Sequence, residues 1–283
     1  MAKNNFILNR IFTRNTISDL LKDNENIVYT STVKRYINNT ESLLNKNVFS
    51  EIYEFMMKYY RNEYIYKNTL LNKLLLGRHS LNTTTALTEV PVEKSKADFI
   101  LINGSAIVYE IKTELDTLDR LKGQLDNYYK AFKKVCVITS DSNFERVNLI
   151  LENTNVGICT LTKRNTISTK KEPISDTSKL NSNSMFKILR KKEYERIIKL
   201  HYGELPEVKQ VEYYKECLRL FNNIGVESAY KYMLVELKKR NKIEISEFKN
   251  KVPYELKFLV YFSNFKNRDY LVLEEFLNNE FRG

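Results

Sequence analysis

The stretch "KADFILINGSAIVYEIKTELD", residues 96–116, sets Asp98, Glu110 and Lys112 into what otherwise reads as a pair of apolar strands. The bulk of Phe99–Ile102 and Ile107–Ile111 predicts strands, and Asn103-Gly104 between them predicts a tight turn. Charges in such a hairpin are costly to bury unless they are paired or hold an ion. Glu110 and Lys112 are two apart on one strand and share a face. The position of Asp98 depends on register. A two-residue turn at Asn103-Gly104 places Asp98 opposite Tyr109 and sends Glu110 to the other face. A three-residue loop Ile102-Asn103-Gly104, with Gly104 left-handed, places Asp98 opposite Val108 and diagonally beside Glu110, within reach of one shared ion. A bulge further along either strand has the same effect.

In the convergent register two carboxylates meet with a lysine alongside. Hard oxygen ligands of this kind suit Mg²⁺ or Mn²⁺, which keeps several waters and accepts phosphate oxygens. Such an ion activates a water and offsets the charge that builds on a phosphodiester. Lys112 then orients or deprotonates the nucleophile, or stabilises the phosphate in the transition state. The competing reading is an Asp/Glu–Lys network at a sheet edge, and the spacing alone favours neither.

The flanking segments predict the elements that must hold these residues. Residues 1–60 read as helical, and "SEIYEFMMKYYRNEY" runs on through "IYKNTLLNKLLLG" to a stop at Gly77. "ALTEVPVEK" (86–94) reads as extended, with Pro91 marking an edge strand. After the hairpin, "DTLDRLKGQLDNYYKAF" is an amphipathic helix that Gly123 weakens by about 1 kcal/mol relative to alanine. Asp116 reads as its cap. "KKVCVITS", "ERVNLILEN" and "VGICTLT" follow as strand, helix and strand. The order predicts an α/β core with a mixed sheet over 61–165, between helical regions at 1–60 and 185–283. Residues 166–184 carry no apolar periodicity and read as a polar linker.

The chain has 283 residues and a net charge of +11, from 46 basic and 35 acidic residues. That surplus points to a polyanionic partner, nucleic acid ahead of an anionic membrane surface. Residues 163–199 hold eleven Lys/Arg against four acids, most of the surplus. Lys163, Arg164, Lys170, Lys171, Arg190, Lys191 and Lys192 are candidate phosphate contacts, a solvated charged face being the alternative. Three widely spaced cysteines read as reduced residues of a cytoplasmic protein, and the two histidines cannot supply a zinc cluster. No run approaches the ~18 apolar residues of a membrane span.

Asp98 followed by Glu110-Ile111-Lys112 resembles the D…(D/E)-x-K signature of the PD-(D/E)XK nuclease superfamily. "QLDNY" twelve residues further on resembles the Q-xxx-Y helix of its RecB-like members, with Gln124 and Tyr128 on one helical face. The run "NEYIYKNTLLNKLLLGRHSL … TEVPVEKSKADFILINGSAIVYEIKTELDTLDRLKGQLDNYYKAF" is similar to a family of bacterial and phage nuclease-like proteins of poorly defined role. The close resemblance covers 61–140. Ala97 stands where the signature has proline.

The resemblance implies a restriction-endonuclease-like core and Mg²⁺- or Mn²⁺-dependent hydrolysis of nucleic-acid phosphodiesters, with DNA favoured over RNA. The ion would be held by Asp98, Glu110 and the Ile111 backbone carbonyl, Lys112 would be catalytic, and Gln124 and Tyr128 would orient the site. It also implies a helix-borne acid upstream, for which Glu63 is the best match. Glu89 and Glu93 are competing acids on the preceding strand. Arg120 is a further candidate for phosphate, a surface ion pair being its alternative. Tyr213, Tyr214, Tyr230 and Tyr232 are candidates for base stacking, with packing as the alternative. A non-catalytic nucleic-acid-binding or protein-interaction module on the same fold is the rival class. A role in phage or bacterial defence, a homodimer and a protein partner are left open.

Overall fold

The computed structural model describes residues 5–23, 25–240 and 243–282. Five helices come first: α1 (Leu8–Ile11), α2 (Arg14–Asp23), α3 (Ile27–Tyr36), α4 (Asn45–Tyr59) and α5 (Glu63–Leu70). The last of these widens into a π-helical turn, Leu71–Leu76, capped at Gly77 as the sequence predicts. The long helix predicted across 50–76 is broken, however. Tyr60–Asn62 leave the helical path, and the Asn62 side chain accepts the Ile65 N–H, starting α5 afresh. An asparagine N-cap satisfies an amide that an uninterrupted helix would bond internally, and it sets a new axis. That new axis is what carries Glu63.

The centre is a mixed sheet of β1 (Thr85–Val92), β2 (Ser95–Asn103), β3 (Ser105–Lys112), β4 (Lys134–Ser140), β5 (Gly157–Leu161) and β6 (Ile167–Lys171), in that spatial order. β1–β2–β3 are antiparallel, β3–β4–β5 parallel, and β6 closes antiparallel on β5. Helices α6 (Leu121–Tyr129) and α7 (Phe144–Leu151) make the two parallel crossovers. The fold is thus α+β with a mixed sheet, as expected. Two local expectations are corrected. α6 starts five residues after Asp116, which instead accepts the Thr113 amide and hydroxyl at 2.8 and 2.7 Å and closes a turn. And the segment read as a linker from 166 begins with a strand. The side chains of β6 are half-buried to exposed, so no apolar alternation announces it; backbone pairing with β5 alone makes it a strand.

The rest of the chain supplies α8 (Ser182–Ile188), α9 (Lys191–Tyr202), α10 (Gln210–Asn223), α11 (Val226–Lys238), α12 (Ile245–Lys251), α13 (Lys257–Phe262) and α14 (Asn267–Asn278). These C-terminal helices divide between the two faces of the sheet. α8–α11 pack with α6 and α7 over Ile100, Ile102, Val108, Val135 and Val137. α12–α14 cross to the other face and join α1–α5 over Phe99, Leu101, Tyr109, Cys136 and Ile138. Asn45 ties the chain's two ends together through the Phe276 and Asn279 carbonyls at 3.0 and 3.1 Å. Two helical regions separate in sequence are therefore interleaved in space, because each sheet face needs apolar cover.

The hairpin adopts neither register considered from the sequence. Asn103 lies opposite Ser105, Ile102 opposite Ala106 and Phe99 opposite Tyr109, with Gly104 alone at the apex at φ 69°. Gly104 is left-handed as expected, but the loop is shifted by one residue. One step beyond Phe99–Tyr109, Asp98 is level with Glu110, and there the ladder stops. The Asp98 Oδ2 accepts the Ile111 N–H at 2.8 Å, a side chain replacing the backbone partner.

Candidate functional site

The parting of β2 and β3 coincides with a break in β1. Glu89 sits at φ 54° between two regularly paired neighbours, Thr88 (opposite Phe99) and Val90 (opposite Ala97). A left-handed residue reverses the facing of the strand. Leu87 and Val90, three apart, consequently pack into the same apolar cluster, which an unbroken strand forbids. For a residue with a Cβ this conformation costs about 1–2 kcal/mol. Backbone strain held at one place by regular pairing on both sides is a feature of functional sites.

Three acids meet here from three elements. Oxygens of Glu63 (α5), Glu89 (β1) and Asp98 (β2) lie within 4.8 Å of one another, with the glutamates exposed and Asp98 half-buried. Lys67, one turn along α5, bridges the glutamates: its Nζ is 2.7 Å from Glu63 and hydrogen-bonds Glu89. Lys96 adds a second cation 3.3 Å from Glu89. Burial pulls the Lys67 pKa down, but the Glu63 and Glu89 carboxylates outweigh it and the net shift is upward. Burial raises the Glu89 pKa, yet the bonds to Lys67 and Lys96 bring it below the usual value. Among the described residues Asp98 forms no ion pair. Burial first, then the Glu110 charge, push its carboxyl up to about 8, and the Ile111 amide and, more slightly, the Lys67 charge offset only part of this.

Beside the acids runs a second, drier chain of contacts. Glu110 and Lys112, side by side on β3, have side chains only 1% and 9% exposed and pair at 2.8 Å. The Lys112 Nζ also donates to Gln124 Oε1 at 2.8 Å. The Tyr128 hydroxyl shares its one hydrogen between Glu110 Oε2 at 2.6 Å and the Lys96 carbonyl at 2.9 Å. Burial, followed by the Glu110 charge, raises the Tyr128 pKa and keeps the phenol a donor. Gln124 and Tyr128, one turn apart on α6, thus hold Lys112 and Glu110 in fixed positions.

Asp98, Glu110, Lys112, Gln124, Tyr128, Glu63 and Glu89 are accordingly gathered at one place. The Ile111 carbonyl shares this neighbourhood, since a strand residue turns its N–H and C=O to the same side and the Ile111 N–H faces Asp98. Glu93, by contrast, accepts from Ser184 at 2.6 Å, away from the acids. Lys67 was missed by sequence reasoning, although its i,i+4 spacing from Glu63 was a signal for it.

The donor set suits a hard divalent cation. Three carboxylates crowd one volume, and Asp98 carries repulsion that the Ile111 amide and Lys67 only partly relieve and that a cation there would remove. Glu110 already accepts from Lys112 and Tyr128, leaving each oxygen a free lone pair.

The basic residues do not form one strip. Lys163 and Arg164 sit in the β5–β6 turn, at the same end of the sheet as Lys112. Lys170 and Lys171 lie at the far end of β6, and the Lys171 Nζ donates to the Leu151, Glu152 and Thr154 carbonyls, closing off α7. Arg190 precedes α9, where its backbone N–H donates to Glu193 at 2.8 Å. Lys191 lies over the Tyr213 ring at 5.1 Å, and Lys192 and Arg120 are exposed. Proximity in sequence did not carry over because the chain crosses the sheet between 164 and 190. Of the tyrosines, Tyr230 is buried, Tyr213 donates to Glu195 at 2.9 Å, Tyr214 packs on Phe186, and Tyr232 on His201. Among the described residues no helix is long and apolar enough to cross a membrane.

Residues 56–258 match the family described as Bacteriophage P4 protein cII. No curated protein and no solved structure matches the chain.

Proposed function

We propose that this chain, which belongs to the Bacteriophage P4 protein cII family, hydrolyses nucleic-acid phosphodiesters with a divalent cation, DNA being the favoured substrate. The matched stretch contains every residue of the gathered site. One observation carries the reading: Asp98, Glu110 and Lys112 converge where β2 and β3 part, and α6 fixes the last two through Tyr128 and Gln124. A surface ion-pair network has no need of a nearly dry Glu–Lys pair held from a second element.

Asp98, Glu63 and Glu89, with Glu110 and the Ile111 carbonyl on the β3 side, would hold Mg²⁺ or Mn²⁺. Bound there, the cation supplies Lewis acidity and a more acidic water. Glu110 and Gln124 hold the Lys112 ammonium at the edge of the acid cluster, where it faces negative charge developing on phosphate. Tyr128 fixes the Glu110 carboxylate so that it does not swing away with Lys112. Lys67 supplies positive charge to Glu63 and Glu89, and keeps those acids together in the absence of a metal.

That last contact favours the rival reading to a degree, because the fold satisfies two of its three acids without a cation. Labelled single-stranded, duplex and branched DNA and RNA, offered with Mg²⁺, Mn²⁺ or EDTA, separate the two. Metal-dependent cutting lost in both Lys112→Ala and Asp98→Ala supports the enzyme. No cutting of any substrate, with salt-sensitive binding retained, replaces it with a binding module.

A further inference from the structure

Two adjoining clefts lie near the outer edge of β1, the first strand of the sheet, and one of them runs along the strand itself. The larger, about 720 Å³, lies between α2 and the α13–α14 turn and is lined by Arg14, Lys22 and Arg268. The other, about 560 Å³, runs past Thr88–Pro91 and is lined by Arg14, Lys187 and Arg190. Arg14, Phe262 and Asn264 line both, so the two join into one groove that passes Glu89. Its lips come from the two helical layers on opposite faces of the sheet, and each contributes cations.

We propose that this groove is the track of a single DNA strand leading to the acid cluster, an inference that rests on the phosphodiesterase reading above. The charge argues for a polyanion. Five cations face Asp269 and Glu89 as the groove's acids, apart from an Arg240–Glu193 pair that is already satisfied. Arg14, Arg190 and Arg268 form no ion pair among the described residues, while Lys22 and Lys187 make only long contacts of 3.9 and 3.8 Å. Three of the five cations (Arg14, Lys22 and Arg268) lie outside the family-matched stretch, and Lys187 and Arg190 lie inside it.

The shape argues for one strand. The joined clefts have room for a few nucleotides and are bounded by helices of both layers, and the edge of β1 runs along one of them. Phe265, half-buried, lines the wall of the larger cleft and offers aromatic surface of the kind on which unpaired bases stack, while Phe262 beside it is buried in the core. As the outermost strand, β1 also has one edge without a neighbouring strand, where N–H groups can meet phosphates without regard to sequence. The exceptions are Ala86, whose N–H donates to the Tyr261 hydroxyl, and Pro91, which has none. Glu89, with its reversed backbone, is where the groove and the acid cluster meet.

The test is fluorescence anisotropy with a labelled oligothymidylate of about twelve nucleotides, the same sequence as a duplex, and an RNA equivalent, all in EDTA. The proteins are the wild type, the double reversal Arg14→Glu/Arg268→Glu, and the charge-matched control Lys215→Glu/Lys231→Glu on the exposed faces of α10 and α11. All four substituted residues are exposed, and thermal melts verify folding. The expected result is that the groove reversal weakens single-strand binding at least tenfold and lowers the salt slope by about 1.4, the share of two phosphates. The control should change Kd less than threefold, and the duplex should bind more weakly than the single strand. Equal losses in reversal and control, a duplex bound as tightly as the single strand, tighter binding of RNA than DNA, or no binding at low salt would each overturn the proposal. Binding in chelator is independent of cutting. A protein that binds through the groove but never cleaves DNA sinks the catalytic reading alone. One that cleaves DNA with a KM unmoved by the reversal sinks the groove alone.

Discussion

Replacing Asp98 by asparagine should stabilise the metal-free protein, and by an amount that depends on pH. The folded carboxyl has its pKa raised from 3.8 to about 8, by burial and then by Glu110. Between those values the folded protein binds more protons than the unfolded chain, so the free energy of unfolding falls as pH rises across the window. The loss is absent below pH 4 and complete above about pH 8. A shift of this size sets a ceiling of roughly 6 kcal/mol. Asp98 is only half-buried, and solvent and side-chain relaxation bring the expected value to about 2 kcal/mol. Asparagine keeps an oxygen for the Ile111 N–H and carries no charge towards Glu110. In urea, with an m-value of about 2–3 kcal/mol/M, the Asp98→Asn midpoint should exceed wild type by about 0.7–1 M at pH 8 and nearly coincide with it at pH 4. The melts are run in EDTA and repeated with Mn²⁺, which should raise the wild-type midpoint alone. A midpoint difference that ignores pH, or a less stable asparagine variant at pH 8, would refute the electrostatic account of this cluster.

Other residues give sharper structural tests. Tyr128→Phe removes the donor to Glu110 at 2.6 Å in a buried site, and should cost about 1–3 kcal/mol in chemical denaturation. It should also lower any cleavage rate with less change in KM; an unchanged rate would show that Glu110 needs no fixing. Arg240 pairs with Glu193 at 2.6 Å, both nearly buried, and donates to the Ile188 carbonyl at 2.7 Å. Arg240→Met should therefore lose about 3–5 kcal/mol, which a calorimetric melt would detect as a large fall in Tm. Gly123 lies inside α6 with open space where a Cβ would go. Gly123→Ala should add about 0.5–1 kcal/mol without disturbing the site, and a loss of stability would mean that α6 needs the glycine's backbone freedom.

Much of the site was legible from local rules. The apolar runs of β2 and β3, the left-handed Gly104, the edge position of β1 and the common helical face of Gln124 and Tyr128 each depend on residues a few positions apart. Periodicity and turn chemistry act over that range, so the sequence by itself determined these features. The hairpin register was a nearer miss: the two loops considered differ from the real one by a single residue, an energy difference that local preference does not resolve. What β2 does at Asp98 is set by β1 on one side and by the Ile111 amide on the other.

The remainder was decided by tertiary structure. Glu89 is left-handed because the pairing before and after it fixes the strand at both ends, and nothing in "ALTEVPVEK" signals that reversal. Lys67 matters only because α5 docks its first turn against β1 and β2. The groove along β1 exists because α2 and the α13–α14 turn, from opposite ends of the chain, meet on one face of the sheet. Contacts of that range close large loops, and their free energy comes from burying apolar surface that the local pattern announces without saying against what. The sequence therefore specified which side chains could do chemistry, and the packing of distant segments chose which of them stand together.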